Sequence, residues 1–269
     1  MSERQPQQRL KVTIDASGIA HVQLARPEKR NALDMTAFIE LAETAAALGS
    51  DARVRVVVLS GEGPAFCAGI DLSLFANPAD LPVMLKQRDE HGANAAQRAA
   101  WAWHIAPVPV LAAVHGTAFG AGLQLMSGAD IRYVAPDTRL SIMEMEYGII
   151  PDMAGSQLWK TLVREDIVKE LTYTARIFDG TEAHALGFAT HVSTDPLAAA
   201  LQTAQAIAAR SPDAIRAAKR LLNAQRSDDV AQGLAREADE QLELLFTPNQ
   251  LEAVAAKLQK RSPRFQDAQ

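Results

Sequence analysis

The chain has 269 residues, 48% of them apolar, with a formal net charge of -5 and a sequence pI near 5.7. That length buries one substantial core, and an acidic balance without a long basic block excludes a general nucleic-acid or anionic-membrane surface. A single cysteine, Cys67, excludes an internal disulfide or a thiolate metal cluster and fits a reducing cytosol. The six histidines are scattered without ligand spacing, so no metal is expected. No signal-peptide core follows the N-terminus and no stretch approaches a membrane span, which predicts a cytoplasmic protein with no membrane partner.

In chain order, 12–24 alternates around Ala16-Ser17-Gly18 and reads as a hairpin. The loop ARPEKRNALD follows, and its Asp34 suits the N-cap of a helix over 35–48 closed by Gly49. VRVVVLS, 54–60, is apolar enough for a strand buried on both faces. The glycine-rich turn after it leads to a short helix from about Gly69; with Phe66 where a third glycine belongs, a dinucleotide fingerprint is rejected. A helix is expected over 84–105, with 77–82 a connector forming a wall of a substrate pocket. PVPVLAAVHG then reads as a buried strand, and Gly120-Ala121-Gly122 opens a second helix, so strand, glycine turn and helix occur twice. Helices are expected over 156–163, 166–174 and from Thr181 to Gly187, with a strand over 189–192. From 196 onward the chain is helical, with starts marked by Asp195-Pro196, Ser211-Pro212 and Thr247-Pro248. The apolar faces of this tail either make subunit contacts or cover the chain's own sheet.

The glycine turns imply a chemistry. A strand that ends in glycines and opens a helix aims free N–H groups, reinforced by the helix dipole, at one spot. Glu144 and Asp152 follow in a segment otherwise rich in Met, Ile and Gly. Donors for a developing negative charge beside a carboxylate point to enolate chemistry. A dry Glu144 among Met143, Met145 and Ile149 should have a raised pKa, as a base working near neutrality needs. Lys29 and Arg30 read either as a solvated loop or as phosphate contacts, and Cys67 as a small buried thiol.

The segments RPEKRNALD, SGEGPAFCAGIDL, PVPVLAAVHGTAFGAGLQLMSGADIRY, YGIIPDMAGSQ, TEAHALGFATHV and LEAVAAKLQKRSPRF, in this order, resemble the crotonase (enoyl-CoA hydratase/isomerase) superfamily over nearly the whole chain. The resemblance implies an α/β fold, a spiral of repeated ββα units over 1–195, followed by a helical C-terminal trimerisation region over 196–269. It also implies an acyl-CoA substrate, no cofactor beyond the coenzyme A of that substrate, and a homotrimer or a dimer of trimers.

By the same resemblance, the backbone N–H groups of Ala68 and Ala121 form the oxyanion hole. Glu144 is the proton shuttle, selected by register over Glu146, and Asp152 a second acid as in dienoyl-CoA isomerases. Gln124 stands where hydratases carry a glutamate; an amide cannot give or take the proton of hydration, which favours isomerisation. Coenzyme A contacts fall on Arg26, Lys29, Arg30 and Ala32, on Ala65, Ala68, Gly69 and Ile70, and on Lys260 from a neighbouring subunit. The alternatives are an enoyl-CoA hydratase in the broad family sense and a catalytically weakened acyl-CoA binder.

Overall fold

Alternating apolar residues at the N-terminus form β1 (Leu10–Ile14) and β2 (Ile19–Leu24), paired antiparallel. The structure is a computed structural model that describes residues 8–76, 84–90 and 92–269; the expected pocket wall at 77–82 lies outside them. Among the described residues every further strand-to-strand pairing is parallel. β3 (Val56–Gly61), β4 (Val110–Val114), β6 (Ile131–Val134) and β8 (His191–Val192) extend one six-stranded sheet in the order β1-β2-β3-β4-β6-β8. β3 and β4 are buried along their whole length, as their unbroken apolar sequences require of strands covered on both faces. A second sheet pairs β5 (Thr117–Phe119) with β7 (Arg139–Ser141).

Three helices cover one face of the main sheet: α1 (Met35–Ser50), α2 (Ala95–Ile105) and the short α3 (Ala121–Ser127). Gly49 lies inside α1 rather than closing it. The expected long helix over 84–105 is interrupted: Gly92 takes a left-handed φ of 76°, and Asn94 starts α2 with a capping box to Gln97. Beyond β7 come α4 (Gly155–Trp159), α5 (Glu165–Thr174) and α6 (Gly180–Leu186), the last capped by Asp179 rather than Thr181.

All three proline-marked starts are helix N-termini. α7 (Pro196–Ala208) is capped by Asp195, α8 (Pro212–Ala224) by Ser211 and α10 (Pro248–Leu258) by Thr247, and Asp229 caps a further helix, α9 (Val230–Leu244). α7 lays Ala200 and Ala204 on Ile19, Val56, Val58, Leu111 and Ala113, so it covers the second face of its own sheet. α8 is anchored by Arg216, which donates to the carbonyls of Gly49, Asp51 and Val54. A buried Lys219 also holds α8, pairing with Asp130 at 2.8 Å and donating to the Val108 carbonyl. The apolar positions left exposed on the last two helices include Val230, Leu234, Leu242 and Leu258.

Candidate active site

Two loops and the start of α3 converge on one cavity of about 840 Å³. The first loop, 26–34, runs beside the second, 67–71, as a short parallel bridge between Leu33 and Ile70. Leu33 N–H donates to Gly69 O and Leu33 O accepts from Asp71 N–H, both at 2.8 Å. A residue bracketed in this way turns its own N–H to the opposite side. Ile70 therefore points its N–H away from Leu33, and among the described residues that N–H makes no backbone hydrogen bond. On its other side the second loop bridges β5, through Cys67 N–H to Thr117 O and Phe119 N–H to Cys67 O.

Ala121 is the first residue of α3, and its N–H is one of the orphan donors of a helix start; it too has no partner among the described residues. Ile70 and Ala121 both line the cavity. Ala68, expected from the sequence as the second donor, lines the cavity as well, but its N–H is committed to Arg30 O at 2.9 Å. The available donor in this loop is Ile70.

Glu144 enters from a 3-10 turn, Met143–Tyr147, closed by Gly148 with φ 68°. The turn separates Glu144, 7% exposed and lining the cavity, from the exposed Glu146. Gln124, buried on α3, donates its Nε2 to Glu144 Oε1 at 2.6 Å. Its Oε1 accepts from the N–H groups of Met153 and Gly155, at 2.8 and 3.0 Å. One amide thus fixes Glu144 and also the segment carrying Asp152. Glu144 Oε2 is buried and has no hydrogen-bond partner among the described residues.

Gly120 makes room for this carboxylate, because a Cβ there would lie 3.2 Å from Glu144 Oε1 on a backbone already at φ 48°. Asp152 lines the same cavity. Burial raises the pKa of both carboxyls, and the charge of Asp152 raises that of Glu144 further. With one ionised and the other protonated, two carboxyls lining one cavity can act as base and acid. Cys67 is fully buried and its thiol is pushed up to about 12, which makes it a packing residue.

The expected coenzyme A contacts divide. Lys29, Ala32, Gly69 and Ile70 line the cavity, and Arg30 is exposed in the same loop. Arg26 does not line it: its guanidinium donates to Ala32 O at 2.7 Å and to Asp71 at 3.0 Å, and lies 3.4 Å from Asp34. Ala65 is buried with its carbonyl taken by Asn31 Nδ2, so neither residue is open to a ligand. Lys260 is exposed at the end of α10 and outside the lining of its own chain's cavity. Among the described residues there is no cluster of side chains suited to a metal ion. The sequence did not reveal the open N–H of Ile70, nor Arg26 and Asn31 as braces, because the pairing of residue 33 with residue 70 leaves no periodic signal.

Residues 15–268 match the family model for enoyl-CoA hydratase/isomerase. The chain is 33% identical over 261 residues to the peroxisomal Delta(3,5)-Delta(2,4)-dienoyl-CoA isomerase of Arabidopsis thaliana, covering 93% of each. It is 34% identical over 256 residues to a human mitochondrial protein, enoyl-CoA hydratase domain-containing protein 2, covering 92% of this chain and 85% of that one. Among solved structures, the enoyl-CoA hydratase of Bacillus anthracis superposes with a TM-score of 0.87 at 29% identity, covering 96% of this chain and 99% of the other. On the match over 15–268 and on these likenesses, the chain belongs to the enoyl-CoA hydratase/isomerase family of enzymes, the crotonase superfamily.

Proposed function

We propose that this enzyme is an isomerase that shifts the double bonds of an enoyl-CoA, with 3,5-dienoyl thioesters as its substrate class. The observation that carries this reading is the Gln124–Glu144 contact. Where two-acid hydration needs a second proton carrier, this site has an amide whose donor and acceptor groups are engaged in holding other parts of the site. The carboxylates that remain, Glu144 and Asp152, suit proton transfer between two carbons of one substrate. The dienoyl-CoA isomerases among its relatives support the same choice.

The reaction needs one proton shared between the two carboxyls at the start. The ionised carboxylate takes a proton from C2. The electron pair of that C–H bond moves into the thioester, whose oxygen becomes an enolate oxygen between the Ile70 and Ala121 N–H groups. Collapse of the extended enolate shifts the double bonds, and the protonated partner returns a proton at C6, giving the 2,4-dienoyl thioester with no net change in protons. For a 3-enoyl substrate, Glu144 alone can carry the proton from C2 to C4. A donor of the oxyanion hole contributes about 2.7–4 kcal/mol to such a transition state.

Lys29 and Arg30 are proposed to meet the coenzyme A phosphates, and Lys260 to reach them from a neighbouring subunit of a homotrimer. The exposed apolar residues of α9 and α10 support that assembly; the reading needs no cofactor beyond the coenzyme A of the substrate, and a cytoplasmic setting is proposed.

The test is an ultraviolet assay of purified protein with 2-enoyl-, 3-enoyl- and 3,5-dienoyl-CoA, beside Glu144→Gln. Dienoyl conversion that falls about 10²- to 10⁴-fold in the variant, with negligible 2-enoyl hydration, supports the proposal. Fast 2-enoyl hydration overturns it in favour of a hydratase, and silence on all three favours an acyl-CoA binder.

A further inference from the structure

Arg26 was expected to hold coenzyme A, yet it turns away from the cavity into a network that joins both loops of the site. One guanidinium nitrogen donates to Ala32 O at 2.7 Å, next to Leu33 in the first loop. The other donates to Asp71 Oδ2 at 3.0 Å, next to Ile70 in the second. The same side chain thus grips the two strands of the Leu33–Ile70 bridge one residue away from the bridge itself. Asp71 uses its second oxygen to accept from Ser73 N–H at 3.0 Å, which ties it to the turn that follows.

The first loop needs such a brace. Arg30 and Asn31 both hold left-handed conformations, with φ 49° and 57°, which a non-glycine residue keeps only where its surroundings enforce them. Asn31, 2% exposed, secures that turn: its side chain accepts from Arg26 N–H and donates to the carbonyls of Glu62 and Ala65. The strained turn presents Arg30 O to Ala68 N–H and sets Leu33 against Ile70.

We propose that Arg26, acting through Asp71 and Leu33, is a positioning residue that aims the Ile70 N–H at the thioester oxygen and makes no contact with coenzyme A. This deepens the isomerase reading and rests on it for its kinetic part. A salt bridge with the side chains 12% and 14% exposed is screened little by solvent, so it can hold the 69–70 peptide plane against rotation. Removing it leaves the pocket walls in place and lets one of the two donors drift.

The experiment compares Arg26→Gln, Asp71→Asn and the double variant with wild type and with Lys29→Ala, the phosphate-contact control. One readout is the absorption of a bound cinnamoyl-type CoA thioester, which moves to the red when its carbonyl oxygen receives hydrogen bonds. The others are kcat and KM for the dienoyl substrate and calorimetric affinity for coenzyme A itself.

Arg26→Gln and Asp71→Asn are each expected to lose most of the red shift. Each should lower kcat about ten- to a hundredfold, as misplacement on the ångström scale does, with coenzyme A affinity changed less than about twofold. The double variant should be no worse than Arg26→Gln alone, since that substitution already removes the Arg26–Asp71 interaction. Lys29→Ala should weaken coenzyme A binding and keep the red shift.

A red shift that survives in both single variants overturns the proposal. So does an Arg26→Gln protein that loses coenzyme A affinity at unchanged kcat, because Arg26 would then be a phosphate contact. Should Arg26→Gln not fold, Asp71→Asn, which keeps its bond to Ser73, carries the test alone. The chromophore needs no turnover, so a wild-type protein that shows the red shift but ignores dienoyl-CoA would refute the isomerase reading and leave this one standing.

Discussion

Replacing Gln124 by glutamate tests the arrangement of the site most directly. The amide now donates to Glu144 Oε1 at 2.6 Å while its oxygen accepts from two backbone N–H groups. A glutamate keeps the acceptor and loses the donor, so two carboxylates would share a contact where an ion–dipole bond stood. With charge centres about 4 Å apart and an effective dielectric near 20, their repulsion is about 4 kcal/mol, close to a thousandfold bias toward retaining one proton between them. That proton blocks Glu144 as a base at neutral pH. The predicted outcome is a fall in dienoyl isomerisation at neutral pH, recovery at alkaline pH, and a rise in 2-enoyl hydration as a second proton carrier appears. The assay is the pH dependence of kcat/KM for both substrates, with thermal melts to confirm folding. An isomerase profile unchanged in height and inflection would refute the reasoning, because residue 124 could not then be touching the base.

Glu144→Gln, besides losing activity, should stabilise the protein. The folded pKa of Glu144 is raised, chiefly by burial, so its stabilising contribution is present below the unfolded value of about 4.3 and is lost as pH rises through the folded one. The variant should therefore melt higher than wild type at neutral pH and level with it below about pH 4. A variant less stable than wild type at neutral pH would contradict this. Lys219→Met should be costly, by about 1–3 kcal/mol, since it takes the cation at 2.8 Å from the half-buried Asp130 carboxylate and leaves it the Val110 N–H. Burial lowers the pKa of Lys219 and raises that of Asp130, so the pair exists at an expense that combining Lys219→Met with Asp130→Asn should largely relieve. Chemical denaturation of the single and double variants measures both effects, and equal losses in the two would disprove the coupling.

Much of this was legible in the residues because the signals are local. Alternation marked the hairpin, an uninterrupted apolar run marked β3, and an Asp, Ser or Thr before proline marked three helix starts, since each reflects the geometry of a few consecutive residues. The segments shared with the crotonase superfamily identified the family for the same reason, and they brought Glu144, Asp152, Gln124 and Ala121 to one cavity. Local signals also misled. A continuous helix over 84–105 fits the composition, yet the left-handed Gly92 and the capping box at Asn94 start a new one.

What the sequence determined by itself, then, is the family of enzymes and the groups available around its cavity: the carboxyls of Glu144 and Asp152 and the amide of Gln124. The tertiary structure decided which way those groups face. Ala68 gives its N–H to Arg30 O while the Ile70 N–H has no backbone partner among the described residues, because the loops pair between residues 33 and 70. Arg26 became a brace for that pairing, and Gln124 a clamp on both carboxylate segments. Hydrogen-bond direction between chain-distant residues depends on where whole elements come to rest, and no spacing along a single segment encodes it.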